Sequence, residues 1–211
     1  ITEKKQKESQ IRILTNAVEQ TADSIIITDN NALIEYVNPA FETMTGYCSQ
    51  EALGHTPMIL KSGAHDDAFY QDLWKTILSG RVYRNSMVNR KKNGEIFYAE
   101  QTITPMRDET GKISHFVTVI KDMTDLRKLR QQQFQMHLAR AVQQQFYRTN
   151  PPQIEGYDLA GAAFPADETG GDYFDFMPLP GDCLGIVIGD VSGHGFSSAL
   201  LMAELRAYLR A

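Results

Sequence analysis

At 211 residues the chain can hold one large domain or two small ones, and 42% hydrophobic with 22% charged residues excludes a disordered chain. The net charge of −5 is unevenly spread: from Pro151 onward Arg206 and Arg210 stand against nine acids, so that segment carries −7 and the rest +2. So acidic a segment argues against a nucleic-acid partner, and no run approaches the roughly 18 apolar residues of a membrane helix. No signal peptide opens the chain, and Cys48 and Cys183 have no metal-ligand spacing and require no disulfide, so the cytoplasm is the expected compartment. Ile1 in place of Met leads us to expect a start inside a longer protein.

Residues 4–20 are polar apart from Ile11, Leu14 and Val18, a spacing that predicts a helix. Residues 24–28 and 33–38 are β-rich and flank the turn signal Asp29-Asn30-Asn31. Pro39 suits the first turn of a helix over 40–45 that Gly46 ends, and Ser49 is placed to cap a short helix through Leu53. A longer helix is predicted over 66–78, with Phe69, Leu73, Trp74, Ile77 and Leu78 on its apolar side and Gly80 as its stop. Three β segments follow, 83–90, 95–106 and 114–121, joined by Lys92-Asn93-Gly94 and Asp108-Glu109-Thr110-Gly111, both with hairpin chemistry. Two strands, small helices and a meander predict an α+β domain: five antiparallel strands, helices on one side, and a pocket between them.

Asn38-Pro39-Ala40-Phe41 and Met44-Thr45-Gly46-Tyr47 resemble the S-box pattern of PAS domains. Leu60-Lys61-Ser62-Gly63 with Phe69-Tyr70, and Asn89-Arg90-Lys91-Lys92-Asn93-Gly94, resemble a PAS subtype of bacterial sensors. Asp122-Met123-Thr124 matches the Asp-x-Thr signature at which a PAS sheet passes into its signalling helix, and the resemblance covers roughly residues 11–125. It implies a sensor with a ligand pocket. Trp74 and Asn89 match positions that line the flavin in redox-sensing relatives, whereas Ile26 and Pro57 stand where such sensors carry polar or acidic groups. Pro57 also falls where light-sensing relatives place an adduct-forming cysteine, which excludes a photochemical thiol adduct. A core tryptophan and a turn-proximal asparagine account for both matches without a cofactor. An empty pocket or a small metabolite is therefore expected ahead of a flavin.

After Asp125 there is no Gly, Pro or acid through Arg148, and Leu126, Leu129, Phe134, His137/Leu138, Ala141 and Phe146 form an imperfect heptad-like stripe. We expect a signalling helix that pairs with a second copy as a coiled coil, and Asn150-Pro151-Pro152 as its end. A helix packed on its own domains is the alternative. The expected division is an N-terminal helix over 1–21, a sensor over 22–124, a linker helix over 125–150 and a last segment over 151–211.

In that segment Leu184-Gly185-Ile186-Val187-Ile188-Gly189 reads as a strand buried on both faces, with Asp190 at its end and a helix over about 196–209. Gly170-Gly171-Asp172 leads into a second predicted strand, Tyr173-Phe174-Asp175-Phe176. Taken singly, each Gly-Asp group is turn chemistry. Together they set two carboxylates at the ends of adjacent strands, where hard divalent cations find oxygen ligands.

Pro165-Ala166 with Gly170-Gly171-Asp172-Tyr173-Phe174-Asp175, followed by Gly189-Asp190-Val191-Ser192-Gly193-His194-Gly195, resembles the start of the SpoIIE-like branch of PPM phosphatases. The resemblance implies a truncated piece of the PPM-type α/β-sandwich. It implies that Asp190 bridges two Mn²⁺ or Mg²⁺ ions, that Val191 offers its backbone carbonyl to one, and that Asp172 serves the other. The implied reaction is hydrolysis of phosphoserine or phosphothreonine on a protein, by in-line attack of activated water with no covalent enzyme intermediate. The implied substrate is a phosphorylated anti-sigma-factor antagonist or similar STAS-type protein. Such a domain takes further aspartates from later strands, so these 211 residues alone are expected to be inactive. His194 stands differently from the histidine of eukaryotic PPM enzymes, and loop structuring or solvation is expected of it before general-acid catalysis.

Three other readings compete. Gly170-Gly171-Asp172-Tyr173-Phe174 is superficially similar to the diguanylate cyclase signature, but Tyr173 replaces its glutamate and the long lead of that domain is missing. His137 could be a kinase phosphoacceptor, yet Leu138-Ala139-Arg140 lacks the acid and nearby proline of such helices. A sensor and dimerisation module without catalysis is the third. The expected mechanism is mechanical: a signal in the pocket changes the pitch or register of the helix from Asp125, which leads to the element before Asp172.

Overall fold

The computed structural model describes residues 2–146, 151–163, 172–181, 183–192 and 196–211. The chain divides into two units, Ile1–Arg127 and Lys128–Ala211.

The first unit opens with helix α1 (Thr2–Glu19) and the antiparallel strands β1 (Ser24–Asp29) and β2 (Ile34–Val37). Pro39 then starts α2 (Pro39–Thr45), and Gly46 ends it in the left-handed conformation at φ 77°, open to glycine at no steric cost. The next helix, α3 (Ser49–Ala52), begins one residue earlier than the sequence predicted: Cys48, not Ser49, is its N-cap. Glu51 decides this by accepting the Cys48 backbone N–H at 3.0 Å, which closes the capping arrangement on the preceding residue. A 3-10 turn, Pro57–Leu60, went unforeseen. Asp66 caps α4 (Asp67–Leu78) through the Phe69 N–H at 2.9 Å. On α4 only Leu73 and Ile77 of the predicted apolar side are fully buried; Trp74 and Leu78 are exposed.

Strands β3 (Tyr83–Arg90), β4 (Ile96–Arg107) and β5 (Ile113–Asp122) complete an antiparallel sheet of order β2-β1-β5-β4-β3. This is the predicted α+β architecture. Alternation places every second side chain of each strand on the inner face, against which α2, α3 and α4 pack. That face carries two separate apolar clusters. One holds Ile26, Ile34, Phe41, Phe97, Ala99 and Ile120; the other holds Leu73, Ile77, Tyr83, Met87, Ile103 and Phe116.

Helix α5 (Thr124–Phe146) begins in the first unit and runs on into the second. Along it Leu126, Leu129, Phe134 and Leu138 are solvent-exposed. The second unit holds an antiparallel hairpin, β6 (Asp172–Leu179) and β7 (Cys183–Asp190), followed by helix α6 (Phe196–Leu209), which packs on β6. Gly161 lies so close to Phe174 that a Cβ there would come within 2.3 Å of the ring, so this approach needs glycine. β7 is not buried on both faces. Ile186 is 57% and Ile188 85% exposed, because α6 covers one side of this two-stranded sheet and leaves the side bearing those residues open. No helix among the described residues is long and apolar enough to cross a membrane.

Candidate functional site

Three places in the chain carry polar chemistry that its fold must support. The first is the frame of the sensor sheet. Asn38 is fully buried and uses its whole amide: Nδ2 donates to the carbonyls of Val18 at 3.1 Å and Asp23 at 3.0 Å. Its Oδ1 accepts from the N–H of Ile25 at 2.8 Å and of Phe41 at 3.1 Å. One side chain thus ties the end of α1, the start of β1 and the first turn of α2. At the same end of the strands, on the β5 and β4 side, the Asp-x-Thr signature is a joint. The Asp122 carboxylate accepts from the Thr124 N–H at 2.8 Å, and the Thr124 hydroxyl accepts from the Tyr98 N–H of β4 at 3.0 Å. The Met123 N–H donates to the Tyr98 carbonyl at 2.7 Å, and the Arg127 guanidinium lies 4.1 Å from the centre of the Tyr98 ring. The first turn of α5 is therefore bound to β4.

The second place is a cavity of about 170 Å³ between the sheet and α4, lined by Trp74 and Asn89 as well as by Pro57, Gln101, Phe116 and Thr118. A dry cavity near 150 Å³ accepts one benzene ring, so this space is of one-ring size. Trp74 meets Phe116 edge-on at 6.4 Å between ring centres. Asn89 is buried, and its backbone bridges to Lys61. The sequence reading singled out Trp74 and Asn89 but passed over Gln101 and Thr118. Their signal was present in strand parity: each is a polar residue in an otherwise apolar inner row.

The third place is the hairpin of the second unit. Its register sets Asp172, the first residue of β6, directly opposite Asp190, the last of β7. Residues so paired have Cβ atoms about 4.5–5.5 Å apart on one face. Both are exposed, and Val191 follows, half-buried. Gly170, Gly171, Gly193, His194 and Gly195 lie outside the described residues. Among those described, no group of three or more His, Cys, Asp and Glu could hold a metal ion. Two carboxylates and a backbone carbonyl are the donor types that hard cations take, but they are too few for a closed site.

The opposite face of the hairpin holds an acid that the sequence reading counted with the acidic surface. Asp175 is fully buried, and Arg210 after α6 meets it with two bonds of 2.6 Å, from Nε and Nη2. The Tyr173 hydroxyl donates to the same carboxylate at 2.6 Å and the Phe176 N–H at 2.9 Å. The Arg210 bonds, working against burial, hold the Asp175 carboxyl down at about 2. Burial, and then the bond to Asp175, pushes the Tyr173 phenol up to about 12. This is a latch between α6 and β6, not a metal ligand.

Comparison with known proteins covers both units. The family model described as PAS fold matches residues 13–123, and the one described as Stage II sporulation protein E (SpoIIE) matches residues 180–211. The second match takes in Asp190 and Val191 but not Asp172. The chain is 32% identical over 107 residues to the nitrogen fixation regulatory protein of Klebsiella oxytoca, covering 51% of this chain and 22% of that protein. It is 30% identical over 112 residues to a blue-light-activated histidine kinase of Brucella canis, covering 51% and 23%. Among solved structures, an RNA-binding light-oxygen-voltage receptor matches with a TM-score of 0.54 at 28% identity, covering 59% of this chain and 36% of that one. The chain thus spans less than a quarter of these two curated relatives.

Proposed function

The chain belongs to the PAS fold family, and we propose that it is the sensor-bearing part of a metal-dependent protein serine/threonine phosphatase of the PPM type in bacterial signalling. One observation carries the catalytic half of this reading: Asp172 and Asp190 face each other at the end of a hairpin whose second strand lies in the SpoIIE match. In the proposal the carboxylates of Asp190 and Asp172 and the backbone carbonyl of Val191 would be among the groups that hold Mn²⁺ or Mg²⁺ ions. Such ions, when bound, acidify water and neutralise charge on a phosphoryl group. The chain's own part is to fix the two carboxylates by strand register, while the Asp175–Arg210 latch holds α6 against the other face. Because these ligands do not close a two-metal centre, the 211-residue chain by itself is proposed to be inactive.

The sensor half is read from the joint. An occupant of the cavity would act on β4 and, through Thr124, on the first turn of α5. The exposed stripe of α5 would meet its counterpart in a second copy, making a cytoplasmic homodimer whose helix register reports the signal. The proposed substrate is a phosphorylated anti-sigma-factor antagonist of the STAS type.

The test is phosphate release by the full-length protein from such a phosphoserine substrate with Mn²⁺. Release should fall to background in Asp190→Asn and in Asp172→Asn. No release with any metal would favour the second reading, a sensor and dimerisation module without catalysis, in keeping with relatives named as a regulator and a kinase. For the cavity, a flavin is the alternative occupant, which would have to widen the one-ring space; visible colour in purified protein would establish it.

A further inference from the structure

The inner face of the sensor sheet is interrupted by a polar diagonal. β1 reads Ser24, Ile26, Thr28, β5 reads Phe116, Thr118, Ile120, and β4 reads Ala99, Gln101, Ile103, so that Thr28, Thr118 and Gln101 each stand beside an apolar neighbour of the inner row. In the sheet register Gln101 stands opposite Ile120 and Thr118 opposite Ile103, so the two are diagonal neighbours, and Thr28, opposite Phe116, continues the line. The diagonal separates the two apolar clusters of the inner face and lines the cavity.

These residues are buried, yet their polar atoms keep some accessible surface and open on the cavity they line. Gln101 is 6% exposed, and Thr118 and Thr28 are each 3% exposed. Among the described residues none of the three side chains has a hydrogen bond, whereas Asn38 on the same unit uses every one it can make. With no protein partner, these groups are left to water or a ligand in the cavity, and a sheet built for packing alone would place Val or Leu here. The one charged side chain of the lining, Lys61, holds its ammonium 4.6 Å from the centre of the Tyr70 ring, and the lining has no carboxylate to balance a cation.

We propose that the cavity binds an uncharged, planar molecule of one-ring size whose hydrogen-bonding edge is read by the Gln101 amide together with Thr118 and Thr28. The ring would lie in the apolar half of the space, beside Trp74 and Phe116. Asn89, four positions along β3 from the row of Gln101, serves a different point of the cavity and not the same edge. The inference rests on reading the first unit as the sensor of the proposed function, but it requires nothing of the hairpin carboxylates. Its test involves no phosphatase assay, so each reading can fail alone.

Trp74 is the only tryptophan of the 211 residues, so its emission reports the cavity directly. The chain would be titrated separately with benzamide, benzene, benzoate and riboflavin. Benzamide should shift the emission saturably and bind at least tenfold more tightly than benzene or benzoate, the factor of one well-made hydrogen bond in a buried site. Gln101→Met, of similar volume, should bring benzamide down to the level of benzene without lowering the thermal midpoint, because it removes an unpaired amide. Should that variant fail to fold, Thr118→Val carries the same comparison. Equal binding of benzene and benzamide would overturn the proposal, as would no saturable change with any ring at millimolar concentration. Tighter binding of riboflavin than of benzamide would replace it with a flavin sensor.

Discussion

The two units bury polar groups under different constraints. In the sensor the sheet has cover enough for two apolar clusters, so Asn38 can serve as a fully satisfied joint while Gln101 and Thr118 stand unpaired at a cavity. In the C-terminal unit the described apolar core is small: Tyr173, Phe176, Ala199 and Met202 are buried, and β7 leaves Ile186 and Ile188 open. There an ion pair between the buried Asp175 and the partly exposed Arg210 ties helix to strand. A covered sheet can spare polar positions for recognition. A half-covered one depends on polar groups for cohesion, and its candidate chemistry sits at the exposed strand ends.

The largest way to break the comparison is Asn38→Leu. It strands the Ile25 N–H and the Val18 and Asp23 carbonyls, while the Phe41 N–H keeps the Asn38 backbone carbonyl at 3.0 Å, and it should destabilise the first unit by about 3–5 kcal/mol. Denaturant unfolding would show it, and a loss under about 1 kcal/mol would mean that water replaces the amide at no cost. Next is Arg210→Met, which leaves the buried Asp175 carboxylate without its cation. Since Arg210 is itself partly exposed, a loss of about 2–3 kcal/mol in the second unit is expected, seen as faster amide exchange in β6 and β7. The Asp175 carboxyl is held at about 2, below its ordinary 3.8, so its contribution is complete above pH 3.8 and disappears as pH falls through about 2. Arg210→Met should flatten that acid limb.

Much of the first unit was legible because its signals are local. Gly46 ends α2 as its conformation requires, and the strands follow the period-two pattern between glycine-bearing turns. What escaped depends on partners distant in sequence. Glu51 moves the cap of α3 from Ser49 to Cys48, and the burial of Asp175 is set by an arginine 35 residues away. β7 misled for the reverse reason: its apolar run asks for cover on both faces, and the two-stranded sheet supplies one. The pairing of Asp172 with Asp190 followed from the glycines and strand ends alone, whereas the polar diagonal is visible only once register sets three strands side by side.

A smaller effect tests the joint. Thr124→Val keeps the shape of the side chain but removes the acceptor of the Tyr98 N–H, so a loss of about 1 kcal/mol is expected. If the joint transmits the signal to the proposed phosphatase, the full-length variant should keep the basal rate of phosphate release while that rate no longer responds to the sensor. An unchanged response would place the coupling elsewhere on β4 or β5.

The smallest effect has the opposite sign. Asp190 and Asp172 are like charges directly across a strand pair, an arrangement that costs about 0.2–1 kcal/mol when no cation sits between them. Neutralising one by Asp190→Asn should therefore leave the second unit as stable as before, or more stable by a few tenths of a kcal/mol, while Arg210→Met weakens it. The contrast separates two acids that composition counts alike. A carboxylate kept for cohesion is missed by the fold when it is neutralised, and one kept for a cation is not. If amide exchange showed Asp190→Asn to be as damaging as Arg210→Met, Asp190 would be structural, and the metal reading of the hairpin would lose its central residue.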